Sequence, residues 1–521
     1  MNKEEMRQQM LSFVSRYAEA AIPNRVVEAG VSIVPPSGRV IGAAELRNMV
    51  EASLDHWLTA GRFNDEFERR LAVFLGVKYL ITVNSGSSAN LVAFSTLTSP
   101  QIGERAIKPG DKVIGVAAGF PTTVNPILQF GAVPVFVDVD IPTYNIDASK
   151  IDAAISSKTK GIMLAHTLGN PFNLDVVTAL WKKHNLWLVE DCCDALGSTY
   201  NGKLVGTFGD IGTLSFYPAH HITMGEGGAV FMSNDELRQI AESFRDWGRD
   251  CYCAPSKENT CGKGFGWQLG ELRAGDDHKY IYSHLGFNLK ITDMQAACAL
   301  AQFDRLEDFI AARKRNFAFL RERLAGCENF LELPEATECS DPSWFGFPIT
   351  LREAAGVARV DLLRYLDQNR IGMRMLFAGN LVRQPYIAGR AFRVSGELAN
   401  TSRRYRTTLE PLPASEEQRS VSKTAVSRRF MALSAQRLDE WLSAPLDKFD
   451  LPVLMIDGIH FWDRVVLIVL GIDAQGNKHV LGLREGGAEN AAVVQRCQEH
   501  KRRNVLDHLP KEMYASIGHA A

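Results

Sequence analysis

The chain has 521 residues, of which 23% are charged, and 58 Lys and Arg nearly balance 60 Asp and Glu for a net charge of -2. That length suits more than one domain, each with a sizeable core, and the balanced charge excludes a global field that would draw the protein to nucleic acid or to a membrane. The start, Met1-Asn-Lys-Glu-Glu, is charged and lacks an apolar stretch, so no export signal is expected and the expected location is the cytoplasm.

Along the chain, residues from about 78 to 235 alternate short β-rich runs with amphipathic stretches. The pattern predicts strands at Lys78–Val83, Lys112–Ala117, Val133–Val139, Gly161–Ala165, Leu186–Val189 and Thr213–Tyr217. Helical patterns such as Ile151–Ser156 and Val176–His184 lie between them. Alternation of this kind argues for an α/β fold with a mostly parallel sheet covered on both faces. Residues from about 295 to 330 read as one long helix, and 343–400 as a smaller α+β unit. Near Thr401 the character changes to a basic run and then a Pro/Ser/Glu-rich stretch up to Glu417, which marks a boundary between about 400 and 420. The apolar run Val465–Leu470 beyond it is far too short to span a bilayer. The reading is therefore an N-terminal segment (1–40), a large domain (41–300), a small domain (301–401) and a separate tail (402–521).

Chemistry concentrates at the ends of the predicted strands. Asn84-Ser-Gly-Ser-Ser-Ala-Asn90 follows a strand and opens a helix, where backbone N–H groups and the helix dipole favour a phosphate. An ordinary strand-to-helix turn is the plain alternative. Asp191, in Glu190-Asp-Cys-Cys-Asp194, sits at a strand end where a carboxylate can pair with a protonated ring nitrogen. A helix-capping aspartate is the alternative. Phe120 suits stacking on a flat ring, or a place in the core. Ser215-Phe-Tyr-Pro-Ala-His220, followed by Gly225-Glu-Gly-Gly228, ends a strand in a tight turn and presents a histidine able to move protons near neutral pH.

Nine cysteines, unevenly spaced, favour thiols or metal ligands over a disulfide framework. Cys193, Cys251, Cys253 and Cys261 follow the spacing C-x57-C-x-C-x7-C. Four thiolates so placed suit a [2Fe–2S] cluster or a zinc ion. Cys192, Cys298, Cys327 and Cys339 have no partner at metal spacing and read as ordinary thiols.

Taken in order over roughly residues 40–400, these motifs resemble the DegT/DnrJ/EryC1/StrS family of sugar aminotransferases. The resemblance implies an aspartate-aminotransferase-like, fold type I architecture and pyridoxal or pyridoxamine 5'-phosphate as cofactor. It implies that Gly86, Ser87 and Ser215 hold the cofactor phosphate, that Asp191 pairs with the pyridine nitrogen and that Phe120 covers the ring. It also implies a homodimer, with Asn288 reaching the neighbouring subunit's phosphate. At His220 the family's aminotransferases carry the lysine that anchors the cofactor covalently. A histidine there keeps proton transfer and gives up the anchor. His220 is taken as the base because it fills that position, and His221 as a structural or solvent-facing residue. Tyr217 and Asp194 are expected beside the ring or on the path to the metal, with packing and capping as the alternative.

The histidine and the four cysteines together resemble the family's iron–sulfur 3-dehydratases, which act on CDP-4-keto-6-deoxyhexoses in making 3,6-dideoxyhexoses for lipopolysaccharide O-antigen. That resemblance implies a [2Fe–2S] cluster, electrons from an NADH-dependent iron–sulfur flavoprotein reductase, and loss of the sugar's 3-hydroxyl. Rival readings are a cluster-free, glutamate-dependent dehydratase or a sugar aminotransferase-like protein, a DNA-binding or transposition protein favoured by the tail alone, and a non-functional fusion.

The tail resembles Mutator-type insertion-sequence transposases in Val421–Phe430, Leu454–His460, Gly471–Leu483 and Gln495–Asn504, which implies a fragment of an RNase H-like domain and a small domain cut short before its last strand and helix. Asp457 matches the first of three metal-binding carboxylates, while the segments carrying the other two are absent. One carboxylate does not support two-metal catalysis, so no transposase activity is expected. The basic run 501–504 reads as a solvated helix face in preference to a DNA contact.

Overall fold

The computed structural model describes residues 1–22, 28, 30–38, 40–253, 259–352 and 355–401, and the backbone of three strands between 453 and 486. The chain divides into two compact units, Met1–Glu410 and Pro411–Ala521.

An eight-stranded sheet organises the first unit. In spatial order its strands are Tyr79–Val83, Gly228–Met232, Ile211–Ser215, Trp187–Asp191, Thr159–Ala165, Lys112–Val116, Val133–Val137 and Arg393–Val394. Gly228–Met232 runs antiparallel to both of its neighbours, and the pairs from Ile211–Ser215 outward to Arg393–Val394 are parallel. Side chains sort onto two faces with period two, as a strand buried on both sides requires. Leu80, Ile114, Val116, Ile162, Leu164, Leu188, Leu214 and Phe231 enter one core layer, with Phe67 and Leu71 of helix Arg62–Leu75. Ile81, Val113, Met163, Val189, Ile211 and Val230 enter the other, with Val92 and Phe94 of helix Gly86–Leu97.

Several expected elements differ in detail. The strand expected at Thr213–Tyr217 ends at Ser215, because Phe216 already turns toward Gly227, whose carbonyl accepts its N–H at 2.8 Å. Gly228–Met232 was not anticipated: its glycine-rich lead hides a strand of five buried residues. The long helix expected over 295–330 is two, Asp293–Phe303 and Leu306–Leu324. Arg305 leaves helical geometry between them (φ -113°, ψ 5°), and Asp304 pairs with Arg70 at 2.7 Å. Ala296, Ala299 and Leu306 enter one core, so the apolar period carries across the break. Within the expected small unit, helix Arg359–Gln368 and the pair Leu331–Glu332 with Thr350–Leu351 form as a local α+β element. Arg393–Val394 instead extends the main sheet beside Val135 and Phe136.

The described part of the second unit is an antiparallel meander of Val453–Phe461, Arg464–Ile472 and Lys478–Gly486. Asp457 is in mid-strand opposite Ile468. Residues 421–430 and 495–504 lie outside the described residues. Among those described, no helix is long and apolar enough to cross a membrane.

Candidate active site

Parallel strands bring their carboxyl ends to one edge of the sheet, and there the sequence-predicted residues gather. At the first strand's end, Ser85 caps helix Gly86–Leu97, its hydroxyl accepting the Ser88 N–H at 3.1 Å. That first turn has no acidic residue, so the positive end of the helix is uncompensated. Gly86 is obligatory by space. A Cβ there would lie 2.4 Å from the Ser215 Cβ, 2.7 Å from its Oγ and 3.1 Å from the Cys193 Sγ. Gly228 lets its strand pass the same turn, since a Cβ there would lie 2.4 Å from the Ser85 carbonyl oxygen. Gly86, Ser215 and Cys193 are thereby brought together, next to Ser87 in the first helical turn.

Asp191 ends the next strand and is only 5% exposed. Its Oδ2 accepts from Asn90 Nδ2 and from Thr123 Oγ1, each at 2.7 Å, and its Oδ1 accepts from the Cys193 N–H at 3.1 Å. Asn90 is fixed in turn by Thr213 Oγ1, which donates to its Oδ1 at 2.7 Å. Three donors on one carboxylate fix its plane and orientation. The adjacent Glu190 does different work. It is fully buried and takes the N–H groups of Gly206, Phe208 and Gly209 together with His166 Nε2 at 3.1 Å. Burial works to raise its carboxyl, but His166 and the backbone donors outweigh it and hold Glu190 below the usual range.

Phe120 stands at the N-cap of helix Pro121–Gln129, half exposed, with its ring edge-on to Phe377 (centroids 5.8 Å apart). An exposed aromatic at that edge is not a core residue. Tyr217 is also half exposed.

His220 follows in a turn closed by its own N–H to the Tyr217 carbonyl at 2.9 Å. Its Nδ1 lies 3.2 Å from that same oxygen, and its Nε2 lies 3.5 Å from Asp194 Oδ1. Asp194 thus faces the histidine. Phe345 tilts against the imidazole, with centroids 5.2 Å apart. Arg313, on helix Leu306–Leu324, holds the turn from behind. It donates to the carbonyls of Ala219 (3.1 Å) and His220 (3.0 Å) through Nη2, and of Trp344 (3.4 Å) and Phe345 (3.2 Å) through Nη1. His221 points the other way: it is buried, contacts the Ser343 carbonyl through Nε2 at 2.8 Å, and burial drives its pKa well below the usual histidine value. Of the two roles expected for it, the structural one holds.

Asn288 is exposed, beside Asp246 in a short antiparallel bridge. Its neighbour Leu289 accepts the Asn84 N–H at 2.8 Å, which ties this segment to the Ser85 turn.

Among the cysteines, three of the expected four converge. The Cys261 N–H donates to Cys253 Sγ at 3.4 Å. Burial raises the Cys251 thiol to about 11, whereas at Cys253 hydrogen bonds from Thr260 and Cys261 outweigh burial and bring it to about 7. The group also contains His278, which was not anticipated, since a histidine 17 residues beyond Cys261 carries no motif. Cys193 lies against the Gly86 turn, and burial together with Asp191 pushes its thiol well up. Cys192 and Cys298 are buried, and Cys339 is exposed. Asn90, Thr123, Thr213, Arg313 and Phe345 were likewise missed; only Asn90 lay within a motif already singled out.

A model of the DegT/DnrJ/EryC1/StrS aminotransferase family matches residues 40–421. The chain is 66% identical over 403 residues to the lipopolysaccharide biosynthesis protein RfbH of Salmonella typhimurium, covering 77% of this chain and 92% of that one. It is 52% identical to a dTDP-4-dehydro-2,6-dideoxy-D-glucose 3-dehydratase of Saccharopolyspora spinosa, over 72% of this chain and 80% of that one. Among solved structures, the E. coli GDP-4-keto-6-deoxy-D-mannose-3-dehydratase with bound hydrated PLP superposes with a TM-score of 0.64 at 27% identity, over 71% of this chain and 92% of that chain.

Proposed function

The chain belongs to the DegT/DnrJ/EryC1/StrS aminotransferase family, and from that premise we propose that it is a pyridoxamine-phosphate-dependent, [2Fe–2S]-containing 3-dehydratase of a CDP-4-keto-6-deoxyhexose. The observation that carries the reading is a histidine at the anchor position, facing Asp194, together with a buried, triply bonded Asp191 and a glycine cradle that a single Cβ would fill. That cradle fits a phosphate, and three convergent thiols fit a soft metal centre.

When bound, the cofactor supplies an electron sink conjugated with the sugar ketone, and the cluster a one-electron relay. Gly86 and Ser87 offer the phosphate their N–H groups, with the Ser215 hydroxyl beside them. Asp191 would pair with the ring nitrogen, and Phe120 would cover the ring. In His220 the Nδ1–H donates to the Tyr217 carbonyl, so Nε2 is the basic nitrogen. With the cofactor bound, Nε2 would take the proton from its methylene carbon, and Asp194 Oδ1 faces that nitrogen at 3.5 Å. Having no amine, His220 binds the cofactor without a covalent link. Electrons come from an NADH-dependent iron–sulfur flavoprotein reductase, and exposed Asn288 completes the phosphate site of a second copy in a homodimer.

For residues 402–521 the proposal is a Mutator-type transposase fragment without activity. The family match ends at 421, and Asp457 on a strand of an antiparallel meander agrees with a first carboxylate. Nicking or joining of insertion-sequence ends by the purified chain would refute that part.

Anaerobic purification followed by absorption, iron and sulfide analysis tests the whole. About two irons per chain, with dissociable pyridoxamine phosphate and reductase-dependent turnover, are expected. Cofactor without iron, and turnover that needs glutamate, would favour the cluster-free rival.

A further inference from the structure

Phe377 stands in left-handed backbone, with φ +44°. Few non-glycine residues adopt that region, and for a bulky ring it is an outlier. The residue is the first central position of a tight turn, closed by the Gly379 N–H to the Leu376 carbonyl at 3.2 Å. A positive φ at that position ordinarily belongs to Gly, Asn or Asp. Strain of this kind persists only where the surroundings over-determine the backbone. Here both flanks are fixed. On one, the Gly372 N–H donates to the Val34 carbonyl at 2.8 Å, and a Cβ on Gly372 would lie 2.6 Å from Pro36 Cδ. On the other, the Leu381 N–H donates to the Ala117 carbonyl at 2.8 Å, and Leu381 joins a small buried core with Ala117 and Val124. Gln384 Nε2 donates to the Ala378 carbonyl at 2.7 Å, which holds the turn itself. Val34 and Pro36 lie ahead of residue 40, where the family match begins.

The strained turn delivers an aromatic ring to the candidate site. Phe377 meets Phe120 edge-to-face, with centroids 5.8 Å apart and planes at 84°. Phe120 is 50% exposed, and an exposed side chain changes rotamer freely unless a neighbour stops it. An edge-to-face partner is such a stop, since the ring quadrupoles favour one relative plane. We infer that Phe377 is a positioning residue: its ring fixes the plane of Phe120 and so presents that ring's open face to the cofactor. The inference rests on the proposed function, which takes Phe120 as the cover of the cofactor ring.

The test uses the full chain freed of cofactor. Pyridoxamine phosphate is titrated by fluorescence. Pyridoxal phosphate is followed by circular dichroism of its absorption band, which reports the asymmetry around the bound ring. Phe377→Tyr keeps the ring and should match the wild type in both. Phe377→Leu keeps apolar bulk without a π-face, and Phe377→Asn suits left-handed backbone without a ring. Both should bind about 2- to 12-fold more weakly, the worth of one aromatic pair expressed as affinity, and lose most of the dichroic band. The urea midpoint of cofactor-free Phe377→Asn should equal or exceed that of the wild type, since the strain leaves with the ring. Wild-type affinity and dichroism in Phe377→Leu would overturn the inference. So would a lowered urea midpoint with binding unchanged, which would make Phe377 part of the fold alone. A wild-type chain that binds neither form of the cofactor would overturn the proposed function and the inference together, so the two failures are told apart.

Discussion

Substituting Gly86 by Ala tests the cradle with a single methyl group. The added Cβ meets the Ser215 Cβ at 2.4 Å and its Oγ at 2.7 Å. Ordinary contact lies between 3.4 and 4 Å, so about an ångström of overlap must be relieved. Little there can yield, since Ser215 is buried at a strand end and Gly86 is itself pinned by Gly228 on the next strand. Overpacking of this kind costs about 1–3 kcal/mol. Better helix propensity returns about 1 kcal/mol at most. If the turn shifts to relieve the clash, the N–H groups proposed to hold the phosphate leave their places. Pyridoxamine phosphate should then bind about 5- to 150-fold more weakly, the same 1–3 kcal/mol expressed as affinity. Fluorescence titration measures that, with urea unfolding alongside to report any part borne by the fold. Gly326→Ala is the control, because a Cβ there meets nothing within 4 Å and no left-handed φ is involved. Wild-type cofactor affinity in Gly86→Ala would refute the reasoning.

Arg313→Met removes donors from four carbonyls and should cost about 3 kcal/mol or more in urea unfolding. In steady-state assays it should lower kcat while cofactor affinity holds, with Lys restoring only part, because a point charge does not span the fork. Asn90→Leu strips one donor from Asp191 and the acceptor from Thr213, so stability should fall by about 2 kcal/mol and cofactor affinity with it, both read by titration and unfolding. His221 and His284 are both held below the usual histidine value by burial. Each takes up a proton on unfolding once the pH drops below about 6.5, so stability is full above that value and declines as the pH falls toward the folded-state values. Two such groups give a limiting slope of about 2.7 kcal/mol per pH unit. Unfolding free energies between pH 7.5 and 5.5 should show the decline, and a flat profile would contradict the burial of these rings.

Much of this molecule was legible because its functional groups sit where chain direction changes. Strand ends at Val83, Asp191 and Ser215 are marked by apolar runs that stop in Ser, Gly or Asp, and a parallel sheet must bring those ends to one edge. Gly228–Met232 escaped notice because its antiparallel return follows a glycine run that reads as turn. Arg393–Val394 is two residues long, too short for any period to show. Arg313 and Phe345 were invisible for another reason: they lie some ninety to 125 positions from His220, and only tertiary packing makes them its neighbours. His278 is a lone histidine until folding sets it between Asp250 and Cys261.

The central claim is that Nε2 of His220 moves the proton of the cofactor's methylene carbon. Release of tritium from [4'-3H]pyridoxamine phosphate into solvent, in the presence of the CDP-4-keto sugar, measures that transfer ahead of any reduction. His220→Asn should bind the cofactor as tightly as the wild type yet release tritium about 10²- to 10⁴-fold more slowly. Release at the wild-type rate from His220→Asn would contradict the account.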